Sequence, residues 1–421
     1  MYQLLCYIYP LIICGWDPPQ VTTKWSRLEG IKEEFSGKRI NTFLGIPYAE
    51  PPVGDLRFRP PVALSSTNFL QYYAGNYRSS CLDRHYHEKS KGSRFIDESE
   101  DCLFLNIWSP EDQQQSTSES SKTSPKLSSV LLYLNHISTD IRQINGKVLA
   151  SLGDVTVVTF NYRTGLFGLI QNGDKDSLEN AIYHDTKAVL DWIKENIQLF
   201  GGNPESITVI AEGWEAIKTG LALEGKYFDK LIITNGPLNS DEDDSHIDLD
   251  STRKIRITSF ICIANSSSSN SLVIRDRHVA KWTLRHLSEC PLFRLMENLS
   301  LGNNAIYSLL VDSTAHGFKS RPSLFRQVDL YSYRAFDILT GAPLLNTKLL
   351  HKEVQRLSRE LIKIIGHFIR KGKAPWPKLS HSESGSVDIK KSYQYRISSE
   401  ECSSNLDLAM KSQFCSILQK L

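Results

Sequence analysis

Several groups of residues in this 421-residue chain are of types that carry chemistry. His85 and His87, with Asp83 and Glu88 beside them, put imidazoles and carboxylates within one short stretch, the ligand types that hold zinc. Alternating side chains in so charged a segment read as a solvated loop, and no metal site is expected there. Eight cysteines stand at positions 6, 14, 81, 102, 262, 290, 402 and 415, an even number that suits an oxidising compartment. Asn265-Ser266-Ser267 and Asn298-Leu299-Ser300 have the form of glycan acceptors. Asn239 to Asp250 concentrates carboxylates without the spacing of a calcium loop, and reads as a solvated loop. No phosphate-cradling glycine loop or dinucleotide fingerprint occurs, so no cofactor is expected.

The elements that must position any site follow from apolar patterning. Ser129 to Leu134, Val155 to Phe160, Ser206 to Ala211 and Leu231 to Thr234 are short apolar runs, as expected of strands covered on both faces. Between the second and third lies a helical pattern over Thr186 to Phe200, stopped by Gly201-Gly202. A second long helix is predicted over Lys352 to Phe368. Alternation of strand and helix is the signature of an α/β fold. Gln113 to Ser129, rich in serine and glutamine, reads as an exposed insertion, and Ser266 to Ser269 as a serine-rich loop.

Composition narrows the class. Basic and acidic residues number 49 and 47, leaving +2, which argues against a dedicated nucleic-acid binder. Hydrophobic residues at 40% and charged residues at 23% exclude wholesale disorder. Leu4 to Cys14 is apolar but too short to cross a bilayer, and is followed by Gly15. Residues 1–15 read as a secretory signal peptide, although no Lys or Arg precedes the run and Pro10 interrupts it; a buried first strand is the alternative. Cleavage would leave six cysteines, and no other segment approaches a transmembrane span.

Six segments in order carry a resemblance. Phe43 to Pro60 (FLGIPYAEPPVGDLRFRP), Ser99 to Pro110 (SEDCLFLNIWSP), Val157 to Leu169 (VVTFNYRTGLFGL) and Asn196 to Val209 (NIQLFGGNPESITV) are similar to blocks of the cholinesterase and type-B carboxylesterase family. Gly341 to Pro375 resembles that family's last long helix, and Ser412 to Leu418 its final cysteine-bearing helix. The likeness implies an α/β-hydrolase fold over residues 16–421: a central, mostly parallel sheet flanked by helices. The stretch from about 240 to 330 is divergent and shortened. The likeness also implies a disulfide between Cys81 and Cys102, matches Cys415 to half of another, and leaves Cys262, Cys290 and Cys402 without assignment.

The same likeness locates the chemistry, and finds it missing. Hydrolases of this fold place a serine in Gly-x-Ser-x-Gly on a sharp strand-to-helix turn. Here the matching segment is Ala211-Glu212-Gly213-Trp214-Glu215-Ala216, and Gly213 stands where the serine belongs. Trp214 and Glu215 replace small residues, so the turn itself is expected to be reshaped. The glycine-rich oxyanion loop is replaced by Asn135-His136-Ile137-Ser138-Thr139. Counting back from Gly341 puts Ser332 where the general-base histidine should be. His316, followed by Gly317, comes too early in the chain, and the acid's Glu-Gly context is not found.

The implied protein is a secreted pseudoenzyme with a binding or adhesion-type role. Its partner is open: an extracellular protein or a small hydrophobic ligand. A hydrolase with residual or altered activity is the alternative, and a degenerate copy without selected function is a third.

Overall fold

The computed structural model describes residues 17–65, 70–82, 98–111, 126–136, 141–169, 181–223, 225–234, 259–265, 305–312, 339–345, 352–378, 393–398 and 404–408. The apolar runs become strands of one sheet because each has neighbours on both sides to take its backbone hydrogen bonds. In chain order these strands are β3 (Ile31–Phe35), β4 (Lys38–Pro47), β8 (Phe104–Pro110), β9 (Ser128–Leu134), β10 (Thr156–Phe160), β11 (Gly202–Glu212), β12 (Lys230–Thr234), β13 (Ser259–Asn265), β14 (Ala305–Asp312), β15 (Tyr393–Ser398) and β16 (Ser404–Leu408). The spatial order is β16-β15-β14-β13-β12-β11-β9-β10-β8-β4-β3. From β10 to β15 every pairing is parallel, while β8, β4, β3 and β16 join antiparallel at the flanks. A small sheet of β1 (Gln20–Thr22), β2 (Ser26–Glu29) and β5 (Leu70–Tyr73) and a two-residue pairing of β6 (Ser80–Cys81) with β7 (Glu98–Ser99) complete the strands described.

Helices cover both faces. They are α1 (Lys147–Gly153), α2 (Gly165–Leu169), α3 (Ala181–Asn196), α4 (Trp214–Leu223), α5 (Ala342–Leu345) and α6 (Lys352–Lys371). On one face Val189, Leu190 and Ile193 of α3 and Ile217 of α4 pack with Val209, Leu132 and Val158 of the sheet. On the other, Val148 and Leu149 of α1 and Leu357, Leu361, Ile365 and Phe368 of α6 pack against Leu131, Ile210 and Ile232. Full burial of one such aliphatic or aromatic side chain stabilises the fold by about 1.5–3 kcal/mol. This is the α/β-hydrolase arrangement, a mostly parallel sheet between two helical layers.

Element bounds differ from the apolar pattern in instructive places. Strand β11 begins at Gly202 rather than Ser206, because Gly202 and Asn203 pair with Ser128 and Ser129 before an irregularity restarts the register at Ile207. Helix α3 begins at Ala181 rather than Thr186, and so includes a wholly buried Asp185 that lay outside the helical pattern. Strands β13 to β16 were not expected from the pattern. The parts of 113–129, 239–250 and 266–269 read as loops fall largely outside the described residues, as do residues 1–15 and 412–418.

Two helices approach unusually closely. A Cβ built on Gly366 of α6 would lie 2.6 Å from the Gly153 carbonyl oxygen of α1. Arg370 of α6 donates to the same carbonyl, supplying the end of α1 with a hydrogen-bond partner.

Candidate functional site

The parallel strands end along one rim, where ligands of open α/β sheets bind. Strand β11 runs to Glu212 and α4 starts at Trp214, so a single residue, Gly213, makes the turn. Its backbone sits at φ +83°, in the left-handed region that glycine enters without a Cβ penalty. The Gly213 N–H donates to the Thr234 carbonyl at 3.1 Å, extending the pairing with β12. The Gly213 carbonyl accepts from the Ile217 N–H at 3.0 Å, opening the helix. The expectation that this turn would be reshaped is therefore corrected. Strand, left-handed turn and helix survive because the turn depends on backbone bonds and on glycine's freedom.

The turn carries no side chain of its own and is packed against an imidazole. A Cβ placed on Gly213 would come within 2.5 Å of His136 Cδ2, closer than real Cβ contacts. His136 follows β9 at the same rim, so its imidazole fills the space that a nucleophile's side chain would need. The preceding residue is fixed from below: Tyr162 donates its hydroxyl to the Asn135 carbonyl at 2.7 Å. Beneath Gly213, the buried Glu212 carboxylate accepts a hydrogen bond from the Tyr133 hydroxyl. This pair joins β9 to β11 within the core, while His136 is half-buried beside Gly213. The turn offers no hydroxyl, thiol or amine side chain for acyl transfer.

Below and beside the rim a second polar group is complete. Arg163 donates through Nη2 to Asp185 Oδ1 at 2.7 Å and through Nε to Oδ2 at 3.0 Å, the two-pronged geometry of a strong charged pair. The Arg163 backbone N–H adds a third bond to the same carboxylate at 2.9 Å, and Nη1 donates to the Arg59 carbonyl at 2.7 Å. Both side chains are almost wholly buried, at 4% and 0% exposure. Burial opposes the Arg163 charge, but Asp185 outweighs it and holds the guanidinium above its ordinary range. Next to this brace, Cys81 and Cys102 form a disulfide with Cα atoms 5.0 Å apart, the pair the likeness implied.

The remaining site residues divide simply. Asn265 is the last residue of β13, an interior strand between β12 and β14. Asn298, Ser332, His316, His85, His87, residues 137–140 and the acidic run lie outside the described residues. No metal-holding group of His, Cys, Asp and Glu occurs among the described residues, and no described helix is long and apolar enough to cross a membrane. His136, the Glu212–Tyr133 pair and Asp185 were missed as members of polar assemblies. Their partners lie far away in sequence, and His136, Glu212 and Arg163 were read only as members of the segments that carry the family resemblance.

Comparison with known proteins agrees with this geometry. Residues 17–241 match the model of the carboxylesterase family. The mouse (Mus musculus) cholinesterase is 32% identical over 237 residues, covering 52% of this chain and 37% of that protein. Dog (Canis lupus familiaris) carboxylesterase 5A is 32% identical over 278 residues, 61% of this chain and 45% of that protein. Acetylcholinesterase-1 of Trittame loki is 33% identical over 234 residues, 52% and 40% respectively. The matched region thus spans less than half the length of these relatives. It nevertheless contains the rim, the turn and the brace, and on that ground the chain belongs to the carboxylesterase family.

Proposed function

We propose that this chain is a secreted carboxylesterase-family protein that does not hydrolyse esters and acts by binding. One observation carries the proposal: the nucleophile's place is taken by Gly213, with His136 packed into the side-chain space above it. The chemistry of the fold requires a side-chain oxygen there to form the acyl intermediate. A disulfide between Cys81 and Cys102 and two glycan-acceptor sequences support an extracellular setting. The half-buried His136 at the rim can reach a partner, whereas Glu212 and Tyr133 are buried and link neighbouring strands.

The test is an assay of the purified chain with a short-chain aryl ester, with and without a serine-directed organophosphate. No rate above the buffer control is expected. Turnover that the organophosphate abolishes would establish a serine nucleophile elsewhere and overturn the proposal.

A further inference from the structure

The outer face of α6 is a line of basic residues. Lys352, Arg356, Arg359, Lys363, His367 and Arg370 are all exposed. Their spacing of four, three, four, four and three residues keeps them on one side of the helix. At about 1.5 Å per residue the line runs roughly 27 Å. Among them, Lys363 pairs with the Glu360 carboxylate at 2.8 Å. Lys352 and Arg359 make no ion pair among the described residues.

The line continues at the C-terminal end of the helix into a cleft of about 690 Å³ bordered by Arg370 and Lys371. Lys38, Arg39 and Lys126 also line this cleft, so five cations face two carboxylates, Glu111 and Asp154. Asp154 lies 3.4 Å from Lys38 and Glu111 3.7 Å from Arg39, whereas Lys126 and Lys371 have no carboxylate partner among the described residues. In a chain whose whole net charge is +2, the carboxylates described here are fewer than the basic groups, which leaves a local positive excess on this face.

We propose that the α6 stripe and its terminal cleft bind a linear sulfated polysaccharide. A straight row of basic residues ending in a concave basic cleft fits an extended chain of closely spaced anions. Leu357, Leu361, Ile365 and Phe368 of α6 are buried against the sheet, so these apolar side chains are not available to insert into a lipid layer. The exposed positions of the stripe hold no Phe, Tyr or Trp on which bases could stack, which separates it from single-stranded nucleic-acid grooves. The disulfide suits the extracellular setting proposed above, where sulfated glycans are found. The stripe lies on the opposite side of the sheet from α3 and α4, so the proposal stands whether or not the rim hydrolyses esters.

The test is retention of the full chain on immobilised heparin, with the dissociation constant measured across a salt series. Two triple variants are compared: Lys352→Glu, Arg359→Glu and Lys371→Glu on the stripe, and Lys24→Glu, Arg27→Glu and Lys226→Glu on exposed positions elsewhere. Both sets change charge equally, and circular dichroism checks that each folds. The wild type is expected to bind with an affinity that falls steeply with salt. Reversal of the stripe should lower affinity at least tenfold and reduce the log–log salt slope by about 2–3, as each lost anion contact contributes nearly one. Equal weakening by both triple variants, or no heparin binding by the wild type, would overturn the proposal. So would tighter, stripe-dependent binding to poly-dT or to phosphatidylserine vesicles, which would reassign the surface to that class of ligand.

Discussion

The Arg163–Asp185 brace and the Gly213 turn lie in the same family-matched half of the chain, yet they follow different rules. In the brace, every described charge has a partner: three hydrogen bonds reach one carboxylate, and the fourth donor finds the Arg59 carbonyl. At the turn, backbone bonds hold the shape and position 213 contributes no side chain. Scaffold and reactivity are separable because they use different atoms. The turn can hold its shape through N–H and C=O groups alone, whereas the brace is made of side chains and fails if one is removed.

Removing one partner of the brace should produce the largest effect. Asp185→Ala leaves a buried guanidinium without its carboxylate, and breaking such a pair costs about 3–5 kcal/mol. A marked drop in the denaturant midpoint is expected, and a change below about 1 kcal/mol would place the brace among surface pairs instead. At the turn, Gly213→Ser should lower the midpoint by about 1–3 kcal/mol, from left-handed strain and from the contact with His136. Combining it with His136→Ala should recover the part due to the contact. Esterase turnover should stay absent in both variants, and its appearance would show that base, acid and oxyanion groups are intact.

A smaller effect contrasts a second buried cation with Arg163. Lys230 on β12 is 7% exposed and donates to Ser206 Oγ at 3.2 Å, with Asp229 only at 3.9 Å. Burial therefore lowers its pKa, against a partial opposing effect of Asp229. The folded chain releases this proton before the unfolded chain does, so stability rises as pH climbs through the folded pKa toward the unfolded value of about 10.4. Lys230→Met should remove that alkaline rise, as followed by melting temperature across pH. A rise of the same slope in the variant would assign it to other groups.

Much of the scaffold was legible because burial on both faces makes a strand almost continuously apolar. Thr156–Phe160 and Lys230–Thr234 each differ from the run read in sequence by one residue. The long helix was legible from Leu357, Leu361, Ile365 and Phe368. Gly213 was legible through likeness to a motif. Asp185 was not, since it lay outside the helical pattern and its partner is 22 residues away. His136 was not, because its position against Gly213 depends on β9 and β11 being neighbours. Nor were β15 and β16 legible, where Gln394, Arg396 and Asp407 interrupt any apolar run.

The contact between Gly153 and Gly366 has a consequence for how this protein can change. Two backbones meeting without side chains fix α6 by a constraint that admits almost no other residue at position 366. The solvent side of the same helix is under no such restriction, since Lys352, Arg359 and Lys363 face outward from a helix already secured behind them. Mutation can rewrite that outer surface one residue at a time, toward or away from a partner, while the core behind it registers nothing.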